Sequence, residues 1–172
     1  YQQMMNRALG QLKSTDDLHI LKVDLWNEGV ETTRDILGNL LNVEAVGFDF
    51  SKIICHLAKN RLKSSNVAQA ACQNLPFASE KFDLVLDLST IDHIPLVYAD
   101  KVFSEYYRVL KPAGLLALAF WRSNLVTKYF LHGPAEQLYF DKKKVACELE
   151  NSGFRIVSSY DIGSLLTITE SN

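Results

Sequence analysis

Short apolar runs alternate with stretches of helical period along this chain, a pattern that predicts βαβ units around a mostly parallel sheet. Ile20–Leu25 reads as a first buried strand. Val30–Leu41, with Ile36, Leu37, Leu40 and Leu41 at helical spacing, reads as the helix after it. Ala45–Phe50 is a second strand, and Ser51 is placed to cap a helix to Leu62 that buries Ile54, Leu57 and Ala58. Val67–Cys72, rich in small residues, is a weaker third strand, and Phe82–Leu88 is a fourth. Tyr98–Leu110 is amphipathic, with Val102, Phe103, Tyr106, Val109 and Leu110 on its apolar face. Pro112 and Gly114 stop that helix and lead into the strand Leu115–Phe120. A helix over Asp141–Asn151, capped by Asp141 and ended by Gly153, precedes two closing strands, Phe154–Ser159 and Leu165–Thr169. The count is seven strands and at least four helices. Arg122–Leu138 has no clear period and is expected to form an irregular segment on the substrate side of the sheet.

A chain of 172 residues, 48% hydrophobic and 22% charged, has the apolar content for one core, so residues 1–172 are expected to form a single domain with 1–18 as an N-terminal segment. The 18 basic and 20 acidic side chains leave a net charge of -2, which offers phosphate backbones and anionic membranes no general attraction. Nucleic acid is not an expected partner. Cys55, Cys72 and Cys147 have neither an even count nor a zinc spacing, which suits a reducing cytoplasm. No apolar run approaches the roughly 20 residues of a membrane span. Tyr1–Leu18 lacks a charged-then-apolar leader pattern, and a chain opening on Tyr1 is expected to have lost some N-terminal residues.

In an open α/β sheet, ligands lie beyond the carboxyl ends of the strands where the strand order reverses. That brings Asp24–Val30, Asp49–Ser51, Ala71–Asn74 and Leu88–Ile94 to one rim. Asp49 ends the second strand about 20 residues after the first turn, where a carboxylate can accept ribose hydroxyls. The plainer alternative is that it caps the next helix together with Ser51.

Four segments in this order, Val46-Gly47-Phe48-Asp49-Phe50-Ser51, Asn74-Leu75-Pro76-Phe77, Lys81-Phe82-Asp83-Leu84-Val85 and Val109-Leu110-Lys111-Pro112-Ala113-Gly114-Leu115, resemble the class I S-adenosylmethionine-dependent methyltransferases. The resemblance runs from about Ile20 to Thr169. It implies a three-layer Rossmann-like α/β fold, with a seven-stranded, mostly parallel sheet, an antiparallel last strand and helices on both faces. It further implies that Asp49 holds the ribose diol, that Phe50 lies against the adenine, that Ala71 and Cys72 border the adenine ring, and that Leu88 and Ser89 lie beside the cofactor.

The chain departs from the family at the first loop, where the glycine-rich pattern D-x-G-x-G-x-G is replaced by Asp24-Leu25-Trp26-Asn27-Glu28-Gly29-Val30. Trp26 and Glu28 stand at glycine places. Ala71 stands where an acidic residue commonly meets the adenine amine. Two readings follow. Either side chains bind the cofactor there, with Asp24 or Glu28 facing its ammonium and Gly29 on the loop, or the pocket is closed and the domain is a non-catalytic binding or scaffolding relative.

His93 in Ser89-Thr90-Ile91-Asp92-His93-Ile94 could take a proton from an acceptor, oriented by Asp92, or could simply fill the rim. A metal at this pair lacks a third ligand, so none is expected. His56 is expected to be exposed, and Lys142-Lys143-Lys144 to be a solvated first helical turn. The leading expectation is methyl transfer from S-adenosylmethionine to a small-molecule nucleophile. A nicotinamide-dependent dehydrogenase is the lesser one, since no G-x-G-x-x-G turn is present.

Overall fold

The computed structural model describes residues 2–12, 17–30, 36–37, 43–62, 66–88, 90–121, 128–132, 135–139, 141–161 and 165–171. Its strands are β1 His19–Val23, β2 Glu44–Asp49, β3 Asn66–Gln69, β4 Phe82–Leu88, β5 Leu110–Phe120, β6 Lys128–His132, β7 Ala135–Tyr139, β8 Phe154–Asp161 and β9 Leu165–Ser171. Its helices are α1 Gln2–Leu9, α2 Trp26–Gly29, α3 Lys52–Leu62, α4 Ala99–Val109 and α5 Lys142–Asn151. Of the predicted helix Val30–Leu41, only Val30, Ile36 and Leu37 fall within the described residues.

Seven strands hydrogen-bond in the order β3-β2-β1-β4-β5-β9-β8. The pairs from β3 to β5 are parallel, whereas β9 runs antiparallel to both β5 and β8. Because β1 is followed in sequence by β2 on one side and sits beside β4 on the other, the strand order reverses between β1 and β4.

Side chains alternate across the sheet, and both faces are covered. Leu21, Val23, Phe48, Val85, Leu116 and Leu118 pack on one face with Val102, Phe103, Tyr106 and Val109 of α4 and Val145 and Leu149 of α5. Ile20, Leu84, Leu86, Leu115 and Ala117 face the other side, where Met5 and Ala8 of α1 join them. This helix was not foreseen; Arg7, whose guanidinium lies 4.3 Å from the Tyr160 ring, adds a cation–π contact toward β8. Leu25, Leu37, Cys55, Ala58 and Leu62 form a third cluster under α3.

Three expectations need correction. Leu57 is exposed on α3, not buried, although Ala58 beside it is buried as expected. β5 begins at Leu110, not at Leu115, because Pro112–Gly114 are absorbed in an irregularity opposite Phe82–Leu84, and Ala113 takes a positive φ of 62° there. The segment 122–138 is not irregular throughout, since β6 and β7 pair antiparallel from Lys128↔Tyr139 to His132↔Ala135. α5 follows expectation: the Asp141 carboxylate accepts the amides of Lys143 at 2.7 Å and Lys144 at 3.3 Å.

Gly47 faces Lys22 across the β1–β2 ladder, and a Cβ on it would lie 2.4 Å from Leu25 Cδ2 and 2.6 Å from Leu37 Cδ1. Gly47→Ala should therefore destabilise the chain by about 1–3 kcal/mol in urea denaturation through overpacking. An unchanged midpoint would show that both leucines yield freely.

Candidate active site

Loops leaving the adjacent strands β1 and β4 go to opposite faces, which opens a crevice between residues 24–30 and 88–94. Asp49 enters it from β2. Its Oδ2 accepts the Leu25 amide at 3.0 Å and its Oδ1 accepts the Ser51 amide at 2.7 Å. The carboxylate thus joins the β1 loop to the start of α3, and each oxygen keeps a further acceptor site. The helix-cap alternative is met in part, because Ser51 Oγ also accepts the Ile54 amide at 3.4 Å. Phe50 beside it is 77% exposed, and Gln69 Nε2 donates to the Phe50 carbonyl at 3.1 Å. Ala71, half-buried, bridges to Asn74, and the buried Cys72 follows it.

The first loop is arranged differently from the expectation. Asp24 has φ 66°, a left-handed conformation that suits glycine. Aligning D-x-G-x-G-x-G on this conformation puts its first residue at Lys22 and its three glycine places at Asp24, Trp26 and Glu28. Asp24 Oδ1 accepts the Trp26 amide at 2.7 Å, and the Asp24 carboxyl lies beside that of Asp49. Burial, opposed by the nearby Lys22 charge, raises the pKa of Asp24.

Glu28 does not face a ligand: it is 0% exposed, its Oε2 lies 3.0 Å from Lys22 Nζ, and its Oε1 accepts the amides of Ile36 and Leu37 at 3.0 and 3.1 Å. Gly29 is a packing glycine, since a Cβ there would stand 3.1 Å from the Ile54 carbonyl oxygen of α3. Trp26 is 52% exposed, so its ring does not plug the core of the loop.

Across the crevice, β4 contributes Asp87, a buried carboxylate that sequence reasoning passed over; an acid inside the apolar run Phe82–Leu88 was its signal. Asp87 Oδ1 accepts the amides of Thr90 at 2.8 Å and Ile91 at 3.3 Å, and Oδ2 accepts the Tyr106 hydroxyl at 2.9 Å. Burial pushes its pKa up to about 6. Burial, reinforced by Asp87, pushes the Cys72 thiol up to about 12, so this thiol stays protonated and unreactive.

Asp92 is fully buried, its Oδ1 accepting the Trp121 amide at 3.0 Å, while Oδ2 is among the buried atoms lacking a hydrogen-bond partner. His93, next along the same 3₁₀ turn, is exposed. The expected orientation of His93 by Asp92 gives way to two separate placements, one inward and one outward. Leu88 is buried at the end of β4, and Ser89 lies outside the described residues. Among the described residues no cluster of His, Cys, Asp and Glu could hold a metal ion.

A family model for the methyltransferase domain matches residues 28–118, more than half of the chain, beginning just after the altered start of the first loop. The chain belongs to this methyltransferase domain family. It is similar to the ubiquinone/menaquinone biosynthesis C-methyltransferase of Geotalea daltonii, at 31% identity over 83 residues, 45% of this chain and 34% of that protein. Matches to such curated relatives span from 32% to 53% of their lengths. A SAM-dependent methyltransferase from Methanosarcina mazei superposes with a TM-score of 0.80 at 15% identity, covering 98% of this chain and 96% of that one. The Burkholderia thailandensis 1,6-didemethyltoxoflavin-N1-methyltransferase, solved with its substrate and S-adenosylhomocysteine, gives 0.73 at 15% identity, covering 98% and 78%. These two likenesses establish the α/β Rossmann-like methyltransferase fold.

Burial pushes the Asp92 carboxyl up from an ordinary 3.8 to about 8, with the Trp121 amide opposing and Asp87 adding to the shift. The folded chain thus keeps a proton that the unfolded chain loses, and stability falls as pH rises from about 4 to 8, by at most about 1.4 kcal/mol per unit from this group. Asp92→Asn, close in shape to the protonated acid, should melt higher than the wild type at pH 9 and converge with it toward pH 4. Parallel melting curves across that range would refute the assignment.

Proposed function

We propose that the chain is one methyltransferase domain that binds S-adenosylmethionine in the β1/β4 crevice and transfers its methyl group to a small-molecule nucleophile. The observation that carries this reading is the Asp49 carboxylate, fixed by two backbone amides at the end of β2, with Phe50 projecting beside it. The residues present fit the cofactor: Asp49 would accept the ribose hydroxyls, Phe50 would cover the adenine, and Ala71 and Cys72 would border its ring. Asp24 would meet the ammonium of the amino-acid end, and Leu88 would line the side toward the acceptor.

When bound, the cofactor supplies an activated methyl carbon on a cationic sulfur. Asp24 and Asp49 would offer acceptor oxygens to that cation, and carboxylates on this rim support a reading without phosphate-bearing partners such as nucleic acid. The protein's task is alignment and the exclusion of water, an effect that can reach roughly 7–11 kcal/mol in oriented reactions. His93, exposed on the turn after β4, would hold the proton an acceptor gives up. Asp92 fixes that turn against the end of β5 through the Trp121 amide and is not the orienting partner of His93.

The small-molecule acceptor is supported by the quinone-pathway and toxoflavin methyltransferases named above, both of which are named for small molecules. No helix of the described residues is long and apolar enough to cross a membrane, and Cys55, Cys72 and Cys147 are all free thiols, which supports a cytoplasmic setting. A non-catalytic module is the second reading, favoured by Trp26 and Glu28 at glycine places.

Calorimetric titration with S-adenosylhomocysteine separates the two. Binding with a rise in melting temperature is expected, and Asp49→Asn should weaken it by about 1.5–3 kcal/mol in a folded variant. Absence of heat and of any melting shift at millimolar ligand would leave the non-catalytic module standing.

A further inference from the structure

We infer that the buried Lys22–Glu28 ion pair is the positioning device of the first loop, holding Asp24 and the turn after it in the shape that receives the amino-acid end of the cofactor. This rests on the cofactor reading above. A left-handed backbone at a residue with a side chain is disfavoured, and Asp24 has φ 66°. Lys22 stabilises it from two residues upstream, donating from Nζ to the Asp24 carbonyl oxygen.

A lysine 2% exposed in a central strand needs an anion, because an unpaired buried ammonium is strongly disfavoured. Glu28 meets it at 3.0 Å from beyond the turn and takes the amides of Ile36 and Leu37 on its other oxygen. Arg61 of α3 then donates to the carbonyls of Asn27 and Glu28 at 3.1 and 3.2 Å. β1, the turn and α2 are tied together by two charges that are themselves closed to solvent, and the half-buried Arg61 ties them to α3. Lys22 and Glu28 therefore act on a ligand only through the accessible Asp24 and Trp26.

Lys22→Met combined with Glu28→Gln removes both charges and keeps an oxygen for the Ile36 and Leu37 amides. In calorimetric titration this variant should bind S-adenosylhomocysteine at least about ten-fold more weakly than the wild type, and adenosine, which has no amino-acid end, within about two-fold. Unchanged affinity for S-adenosylhomocysteine overturns the inference. Equal weakening of both ligands also overturns it, because a general structural loss would do the same.

If the variant does not fold, amide exchange in the ligand-free wild type decides. The amides of Gly29 and Val30, which donate to the Leu25 and Trp26 carbonyls at 2.8 Å, should exchange at least about 100-fold slower than in unstructured chain. Exchange at the unstructured rate until ligand is added would show that the ligand, not the ion pair, orders the loop. A wild type that binds neither ligand overturns the cofactor reading together with this inference. A wild type that binds both while the variant loses nothing overturns this inference alone.

Discussion

A parallel sheet covered by helices on both faces leaves polar side chains few places other than the ends of its strands. β1 and β4 are buried on both sides, so the charged residues of β4 and Lys22 of β1 lie near strand ends: Asp83, at the start of β4, meets Lys111, while Lys22 and Asp87, near the carboxyl ends, find their partners inside the protein. Lys22 and Asp87 show the two solutions. Lys22, on the α1–α2 face, is neutralised by Glu28. Asp87, on the α4 face, is surrounded by the Tyr106 hydroxyl and two amides of the following turn. The crevice between these strands inherits its shape from those internal contacts.

Its electrostatics follow from the same crowding. Asp24, Asp87 and Asp92 all have raised pKa values, chiefly because burial disfavours the charged form and in part because each lies near another carboxylate. A cation arriving among them would reverse that balance for the accessible acids. Asp49, at the end of β2, accepts two backbone amides. The site therefore combines one well-served carboxylate at the β2 end with others whose charge depends on what lies beside them.

The strands with clean apolar runs were legible in the sequence, as was the rim they converge on. β4 falls on Phe82–Leu88 as expected, and the five residues expected on the apolar face of Tyr98–Leu110 are all buried. Asp49 and Phe50 stood out because they lie at the carboxyl end of such a strand. The first loop was not: its register depended on a backbone angle at Asp24 that no residue type announces, and nothing within the predicted strand Ile20–Leu25 marked Lys22 as half of an ion pair. Glu28 was misplaced for the same reason, since its partner lies six positions back on another element. Asp92 and His93 are neighbours in sequence, but a 3₁₀ turn sends one inward and the other outward.

The strand order at the far edge has a bearing on how the chain is assembled. β8 pairs with β9 and, among the described residues, with no other strand, yet β9 is the later of the two in the chain and inserts between β5 and β8. An eight-residue strand must therefore wait, both edges unsatisfied, until the following segment arrives to bridge it to the sheet. β9 follows β8 directly in sequence and pairs with it locally, from Asp161↔Leu165 outward, whereas its pairing with β5 is long-range, and an unpaired edge is where chains join the wrong neighbours. Until the β5–β9–β8 edge is complete, β5 thus presents an open edge to other chains, away from the loops that follow β1 and β4.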